Sequence, residues 1–462
     1  MKRKTMRVAI TLMIAMGMVA CGSDNVNEWV PQPEEETENT TSSEDPEDDN
    51  GQNNGNEDPS DDDGDYEPLS NENNGWRPMS LTPAELSMVD GSNDFAFNLM
   101  RKVDELSEDK NASIVLSPLS ITFALGMLNN GATGETQAQI NRVLGFENTG
   151  AEGINNFCYK MLKESSTLDK LTKVSIANNI YLHDPQITRH NLFPDFVKKA
   201  YDYYDAVPEV RNFFDGETCD VINQWASDHT EGMIEKVVKE TDFEDSYLFL
   251  FLLNAIYFKG AWCEPFDKEN TREEVFEGAE QKVPMMHQQK EFSYTENDLC
   301  QALQMPYGNK AYSMTILLPQ QGKTVEQVLQ SLTTDSWQKN YRYMDDAIVD
   351  VKLPRFESNA NVELIEVMKS LGMPFAFDVN KAEFWNLSDF DSMWISIMRQ
   401  VARIKVNEQG AEAAAVTVIG VDGKDGCSKP KYVTFHATHP FLYVISERST
   451  GAIFFIGKYM GD

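Results

Sequence analysis

Apolar residues recur with helical spacing only after about residue 80. Residues 95–105 (FAFNLMRKVDE) and 121–129 (ITFALGMLN) set apolar side chains three and four apart, which predicts two helices with core-facing stripes. Ser117-Pro118-Leu119-Ser120 stands just ahead of the second, and a serine followed by a proline favours helix initiation. A further helix is predicted within 217–238. Later the pattern changes to strand-like runs at 174–182 (VSIANNIYL), 247–258 (YLFLFLLNAIYF), 313–318 (SMTILL) and 347–354 (AIVDVKLP). Two more runs, 441–446 and 452–456, flank Glu447-Arg448-Ser449-Thr450-Gly451 and predict a hairpin. Helices early, strands late and no internal repeat predict an α+β fold with several sheets.

The N-terminal part follows different rules. Lys2, Arg3, Lys4 and Arg7 precede an apolar run over 8–20, the layout of a secretory signal, so 1–20 is excluded from the fold. Met18-Val19-Ala20-Cys21 resembles a bacterial lipobox, in which the cysteine is lipidated, with Met where Leu is usual. Ordinary secretion with cleavage near the same place is the alternative. Between Cys21 and Ser80 there are nineteen Asp or Glu against Arg77 alone, and almost no aliphatic residue. Such a segment buries too little apolar surface to offset its ordering entropy, which predicts an extended, disordered tether. Asp61-Asp62-Asp63-Gly64-Asp65 lacks the ligand spacing and closing glutamate of a calcium loop and reads as solvated spacer. The expected division is therefore signal peptide (1–20), lipidated Cys21 with acidic tether (21–80) and folded domain (81–462). It implies an exported lipoprotein anchored in the cell envelope or at the cell surface.

Composition narrows the function classes. At 462 residues the size rule alone suggests two or three domains. A formal charge of −34 argues against a nucleic-acid partner and against anionic lipid, which leaves the lipid anchor as the expected membrane attachment. No later run is long enough for a spanning helix. With Cys21 lipidated, Cys158, Cys219, Cys263, Cys300 and Cys427 remain, without a CxxC pair. A disulfide framework is not expected, and most of the five read as small buried hydrophobes, with Cys427 in a polar stretch. The histidines are scattered; the nearest pair, His436 and His439, reads as packing or surface rather than metal-binding. GxSxG, HExxH, GxxxxGK[ST] and GxGxxG are all absent, so no enzyme, metal or cofactor is expected.

The ordered set of motifs carries the decisive signal. Asn254-Ala255-Ile256-Tyr257-Phe258-Lys259-Gly260-Ala261-Trp262 is followed by Pro265-Phe266 and Val283-Pro284-Met285-Met286. Ser117-Pro118-Leu119-Ser120-Ile121, Ile222-Asn223-Gln224-Trp225, His439-Pro440-Phe441-Leu442 and Phe455-Ile456-Gly457-Lys458 complete the set. Together they resemble the serpin family of serine protease inhibitors over essentially all of 81–462. The resemblance implies one domain, with three β-sheets, eight or nine helices and an exposed reactive loop, in place of the size-rule division. It implies a partner, a target serine or cysteine protease, and a monomer as the family default. The implied polar cluster beneath the opening sheet comprises Ser117, Ser120 and Asn254, with Gln400 where the family often has histidine. Trp262 is expected at the top of that sheet.

The resemblance also gives meaning to 406–420 (VNEQGAEAAAVTVIG), whose first half is small and pliable and whose second half is β-branched. Glu408, Gly410, Glu412, Ala413, Ala414, Ala415 and Thr417 match the inhibitory hinge pattern, with Ala411 in place of the commoner Thr or Ser. A hinge that enters a sheet as a new strand needs small side chains and no proline. Alternation then assigns Ala411, Ala413, Ala415 and Thr417 to the core face and Glu412 to the other, while Val416, Val418 and Ile419 add strand preference. Counting from Glu408 by family spacing puts the reactive bond between Lys424 and Asp425, which suits a trypsin-like protease. A count back from Phe435 lands nearer Gly426 or Cys427, and Val421, Cys427 and Lys429 stay open as cut sites. A non-inhibitory serpin, acting in binding or structure, is the alternative function.

Overall fold

A computed structural model describes residues 75–184, 192–243, 249–390, 392–411 and 431–461. The signal sequence, Cys21 and nearly all of the tether lie outside the described residues, as do Glu412, Ala413, Ala414, Ala415, Thr417, Lys424 and Asp425. The α+β class is observed. Among the described residues the α-helices are α1 (Pro83–Leu106), α2 (Pro118–Asn129), α3 (Gly134–Leu144), α4 (Ala151–Ser165), α5 (Pro194–Tyr204), α6 (Gly216–His229), α7 (Val325–Ser331), α8 (Thr334–Ser336) and α9 (Ile365–Leu371). The strands are β1 (Ile114–Leu116), β2 (Thr172–His183), β3 (Glu209–Arg211), β4 (Leu250–Ala261), β5 (Arg272–Glu274), β6 (Val283–Glu296), β7 (Cys300–Tyr307), β8 (Tyr312–Pro319), β9 (Asp345–Pro354), β10 (Phe356–Glu363), β11 (Ile395–Asn407), β12 (Gly410–Ala411), β13 (Tyr432–His436), β14 (Phe441–Glu447) and β15 (Ile453–Tyr459).

Local chemistry explains where these elements begin. The helix predicted at 95–105 is the second half of α1, which starts earlier because Thr82 and Glu85 form a reciprocal capping box with Pro83 at the first position. Helix α2 is buried on every side, so its apolar residues run continuously instead of forming one stripe. Ahead of α1, Met79 is already buried and Arg77 pairs with Glu164 at 2.6 Å.

The strands form two hydrogen-bonded sets. One has six strands in the order β10-β11-β12-β4-β2-β3, with β11 also paired directly to β4. The other has nine, β1-β15-β14-β8-β7-β6-β9-β13 with β5 on β6. Within the larger set, among the described residues, the strand pairing that joins β5, β6, β9 and β13 to the remainder is that of Ser293 to Glu296 of β6 with Gln301 to Gln304 of β7. The third sheet implied by the resemblance is therefore continuous with the second through that short junction. The predicted closing hairpin is β14–β15.

Two apolar cores flank the six-stranded sheet. Its inner face, including Leu252, Ile256, Phe258, Met398, Ala402 and Ile404, joins the main core with α1 and α2. Its outer face supplies Tyr181, Phe251, Leu253, Ala255 and Ile397 to a smaller core under α6 and the segment carrying Ile234, Val237, Val238 and Phe243. Alternation along each strand sorts the two sets.

Candidate functional site: a hinge at the mouth of a sheet

Strands β4 and β11 lie side by side and parallel, in register from Leu250–Ile395 to Tyr257–Arg403. Beyond Tyr257 and Arg403 they no longer pair with each other. The chain turns after Asn407 and returns as β12, where Ala411 pairs with Val406 and Gly260, and Gly410 with Asn407 and Ala261. Both pairings are antiparallel. Two residues of the predicted hinge thus occupy the space between the diverging strands.

The turn is specified by side chains. Asn407 Oδ1 accepts hydrogen bonds from the amides of Gln409 (2.9 Å) and Gly410 (3.2 Å), closing a tight side-chain turn. Gly410 has φ 144°, and a Cβ there would lie 2.0 Å from the carbonyl oxygen of Gly260. Only glycine fits that approach. Glu408 is buried, and its Oε1 accepts from Arg355 Nη2 at 2.6 Å and from Thr271 Oγ1 at 2.7 Å. Burial acts to raise its pKa, but the Arg355 and Thr271 bonds together with the Arg355 charge outweigh it, leaving the carboxyl below the usual glutamate range. Trp262 stacks on Tyr307, with ring centroids 4.3 Å apart. Its Nε1 donates to the Asn407 carbonyl at 3.0 Å and its amide to the Gln409 carbonyl at 2.7 Å. Trp262 therefore holds both ends of the turn.

Deeper in the sheet, Ser117, Ser120, Asn254 and Gln400 are brought together and buried. Gln400 Nε2 donates to Asn254 Oδ1 (2.7 Å), the Ser117 carbonyl (2.9 Å) and Ser120 Oγ (3.0 Å). Its Oε1 accepts from the Ser117 amide at 3.0 Å. One amide thus pins the first turn of α2 to β11, and Ser120 Oγ donates to Asn254 Oδ1 at 2.7 Å to link the same helix to β4. Asn178 of β2 extends the cluster by accepting from Asn254 Nδ2 at 2.7 Å. Sequence reasoning missed Asn178, whose signal was a pair of asparagines inside an apolar strand. It also missed Arg355, Thr271 and Tyr307, which are remote from the hinge in sequence.

His436 does not pair with His439. His287 and His436 instead contact the two oxygens of Asp350, at 2.7 and 3.0 Å. Among the described residues, no group of three or more His, Cys, Asp or Glu is arranged to hold a metal ion, and no helix is long and apolar enough to cross a membrane. Cys158, Cys219, Cys263 and Cys300 are free and buried.

The family model described as "Serpin (serine protease inhibitor)" matches residues 90–461. The chain is a serpin. It is 32% identical over 389 residues to serpin B6 of Pongo abelii, spanning 80% of this chain and 98% of that protein. Human neuroserpin is 30% identical over 386 residues, spanning 79% of this chain and 90% of its own length. An uncharacterized serpin-like protein of Thermococcus kodakarensis is 32% identical, with 81% of this chain and 86% of that protein aligned. Among solved structures, the thermophilic serpin tengpin in its native state superposes with a TM-score of 0.73 at 28% identity, covering 84% of this chain and 97% of its own. Thyroxine-binding globulin complexed with thyroxine gives 0.72 at 25% identity, covering 81% and 98%.

Proposed function

We propose that this serpin inhibits a serine or cysteine protease as a suicide substrate, by inserting its cleaved reactive loop between β4 and β11. The observation that carries the reading is β12, a two-residue antiparallel rung already set between two strands that are otherwise parallel neighbours. Continuing that strand replaces one parallel pairing by two antiparallel ones, which are slightly more stable per residue. Strand addition to a sheet is a general mode of recognition, and serpin loop insertion is a known example of it.

The register makes the proposal specific. Continued residue by residue, it would put Glu412 opposite Lys259 and Lys405, and Ala413 opposite Phe258 and Ile404. Ala415 would meet Ile256 and Ala402, and Thr417 would meet Asn254 and Gln400. The alanines match an apolar inner face, the threonine matches the polar cluster, and the glutamate matches two lysines. Val416 and Val418 would face the apolar outer core under α6.

The reactive bond in this reading is Lys424–Asp425, presented to a trypsin-like enzyme. Attack forms an acyl-enzyme, and insertion must drag it away before water completes hydrolysis. Deacylation then fails because it needs oxyanion donors held within fractions of an ångström. Lipidation at Cys21 would hold the monomeric inhibitor at the cell envelope on its acidic tether. Incubation with trypsin, followed by a denaturing gel and intact mass, tests the mechanism. A covalent complex with release of a peptide beginning at Asp425 is expected.

The second reading, a non-inhibitory carrier or structural serpin, is favoured by the similarity to thyroxine-binding globulin. It predicts clean loop cleavage without a complex by trypsin-like, elastase-like and papain-like proteases alike.

A further inference from the structure

For the loop to enter, β10 and β11 must move away from β4 and β2 by about one strand spacing, ~4.8 Å. Any bond across that seam opposes the movement. The outer core lies over it, and its cover is α6 with the segment that leads from α6 toward β4.

This cover belongs to the β2–β4 side. Ser175 Oγ of β2 donates to the His229 carbonyl at the end of α6 at 2.7 Å, and Lys173 of β2 pairs with Glu231. Phe243, in the short helix Glu240–Phe243, stacks on Phe251 of β4 with centroids 5.4 Å apart. The same short helix carries Asp242.

The polar grip on the other half of the sheet comes from two arginines of β11, with Ser396 Oγ near the start of that strand accepting from the Phe249 amide at 2.8 Å. Arg399 is buried and donates from Nη1 to Asp242 Oδ2 (2.6 Å) and to the Val237 carbonyl (2.7 Å), with Nη2 to Asp242 Oδ1 at 3.2 Å. Arg403 Nη1 reaches the Met233 carbonyl at 3.3 Å. Each arginine is also braced from its own side of the seam: Arg399 by Glu363, its cross-strand partner on β10, and Arg403 by Glu357 at 2.8 Å. The braces travel with β11, whereas Asp242 and Val237 stay with the cover.

We propose that Arg399 is a positioning residue whose two-pronged pair with Asp242 latches the sheet seam shut in the uncleaved state, and so sets the rate of loop insertion. This rests on the insertion mechanism proposed above. After insertion, the residue brought opposite Arg399 is Val418, which cannot replace the Asp242 carboxylate. The latch therefore favours the uninserted form alone.

The test uses the full chain as wild type and as Asp242→Asn, Arg399→Met and Glu363→Gln, each in uncleaved and loop-cleaved form. Thermal unfolding of both forms is measured, together with the ratio of covalent complex to cleaved inhibitor after reaction with trypsin. Opening the latch should lower the uncleaved transition of Asp242→Asn by roughly 4–6 °C while leaving the cleaved form within ~2 °C. The fraction trapped as complex should rise, because insertion competes better with hydrolysis. Arg399→Met repeats the test with an apolar side chain of similar length, should Asp242→Asn fold poorly. Glu363→Gln, whose partner moves with it, should alter both forms alike. Equal shifts of both forms in Asp242→Asn and Arg399→Met, or no shift in the uncleaved form, would overturn the latch. A wild type whose transition does not rise on cleavage would overturn the insertion mechanism itself, and the latch with it.

Discussion

Glu408 sits buried at the pivot of the turn, and its charge is retained because Arg355 and Thr271 both donate to the same oxygen. Its folded-state pKa is lowered, so the stabilisation is fully present above the unfolded value of about 4.3 and disappears as pH falls through the folded value. Glu408→Gln should cost about 2 kcal/mol at neutral pH, the scale of charged hydrogen bonds. Urea midpoints of the uncleaved form should show the difference from wild type vanishing under acid conditions. Gln400 makes the opposite point. It is buried and uncharged, so the polar cluster that it organises has no titrating group at that position. Gln400→His would insert one, and burial without a carboxylate partner lowers a histidine pKa. The variant should match wild type well above pH 7 and lose stability as pH falls below about 6.5, the unfolded histidine value. A variant with a flat pH profile would contradict this account of the cluster. Of the hinge residues that the resemblance implies, Glu408, Gly410 and Ala411 are described at the mouth of the sheet, and their partners had no mark in the sequence. Arg355 and Thr271 reach Glu408 through tertiary structure, and local sequence carries no mark of it.

At the scale of elements, legibility followed burial geometry. Strands β2, β4, β8, β9, β14 and β15 were predicted because their apolar runs are long and end at turn residues. Strand β11, the wall of the seam, was not. Its centre, Met398-Arg399-Gln400, is buried on both faces, one through an arginine paired to Asp242 and the other through an amide bonded to α2. That breaks the apolar–polar alternation by which a strand is recognised. The start of α1 escaped for a different reason, since its first two turns bury only Met88 and Val89 and its first turn depends on the capping box. The hinge element supports a direct test. Ala411 is fully buried between β4 and β11, whereas Glu412, if the proposed strand continued that register, would fall on the other face beside Lys259 and Lys405. Ala411→Arg should leave loop cleavage intact but reduce covalent complex on a denaturing gel at least tenfold, because an arginine cannot follow the inner face. Glu412→Arg should keep most of the complex, since like charges across neighbouring strands cost only ~1 kcal/mol. Equal inhibition by the two variants would refute the face assignment.

At the scale of the molecule, the proposed mechanism requires two arrangements of a single sheet. In the described arrangement β4 and β11 pair directly, and the polar cluster, Trp262 and the Arg399–Asp242 pair all fasten them in that state. The strand that would replace them brings two antiparallel ladders and the burial of alanine, valine and threonine side chains. Under the proposed mechanism the balance depends on connectivity: β13, at the far end of the loop, pairs with β9 in the other sheet, so an intact loop would keep the strand from completing. Cutting the loop removes that tether without changing any side chain. The expected outcome is a large rise in thermal transition, on the order of tens of degrees, when the uncleaved protein is nicked by a protease that it does not trap. The rise should scale with how far the cut lies from Ala411, because a cut close to the hinge frees too few residues to fill the seam down to Ile395 and Leu250. Cleavage at successive loop positions, each followed by thermal unfolding, measures that dependence. A transition insensitive to where the loop is cut would mean that release of β13, rather than filling of the seam, is what stabilises the cleaved form.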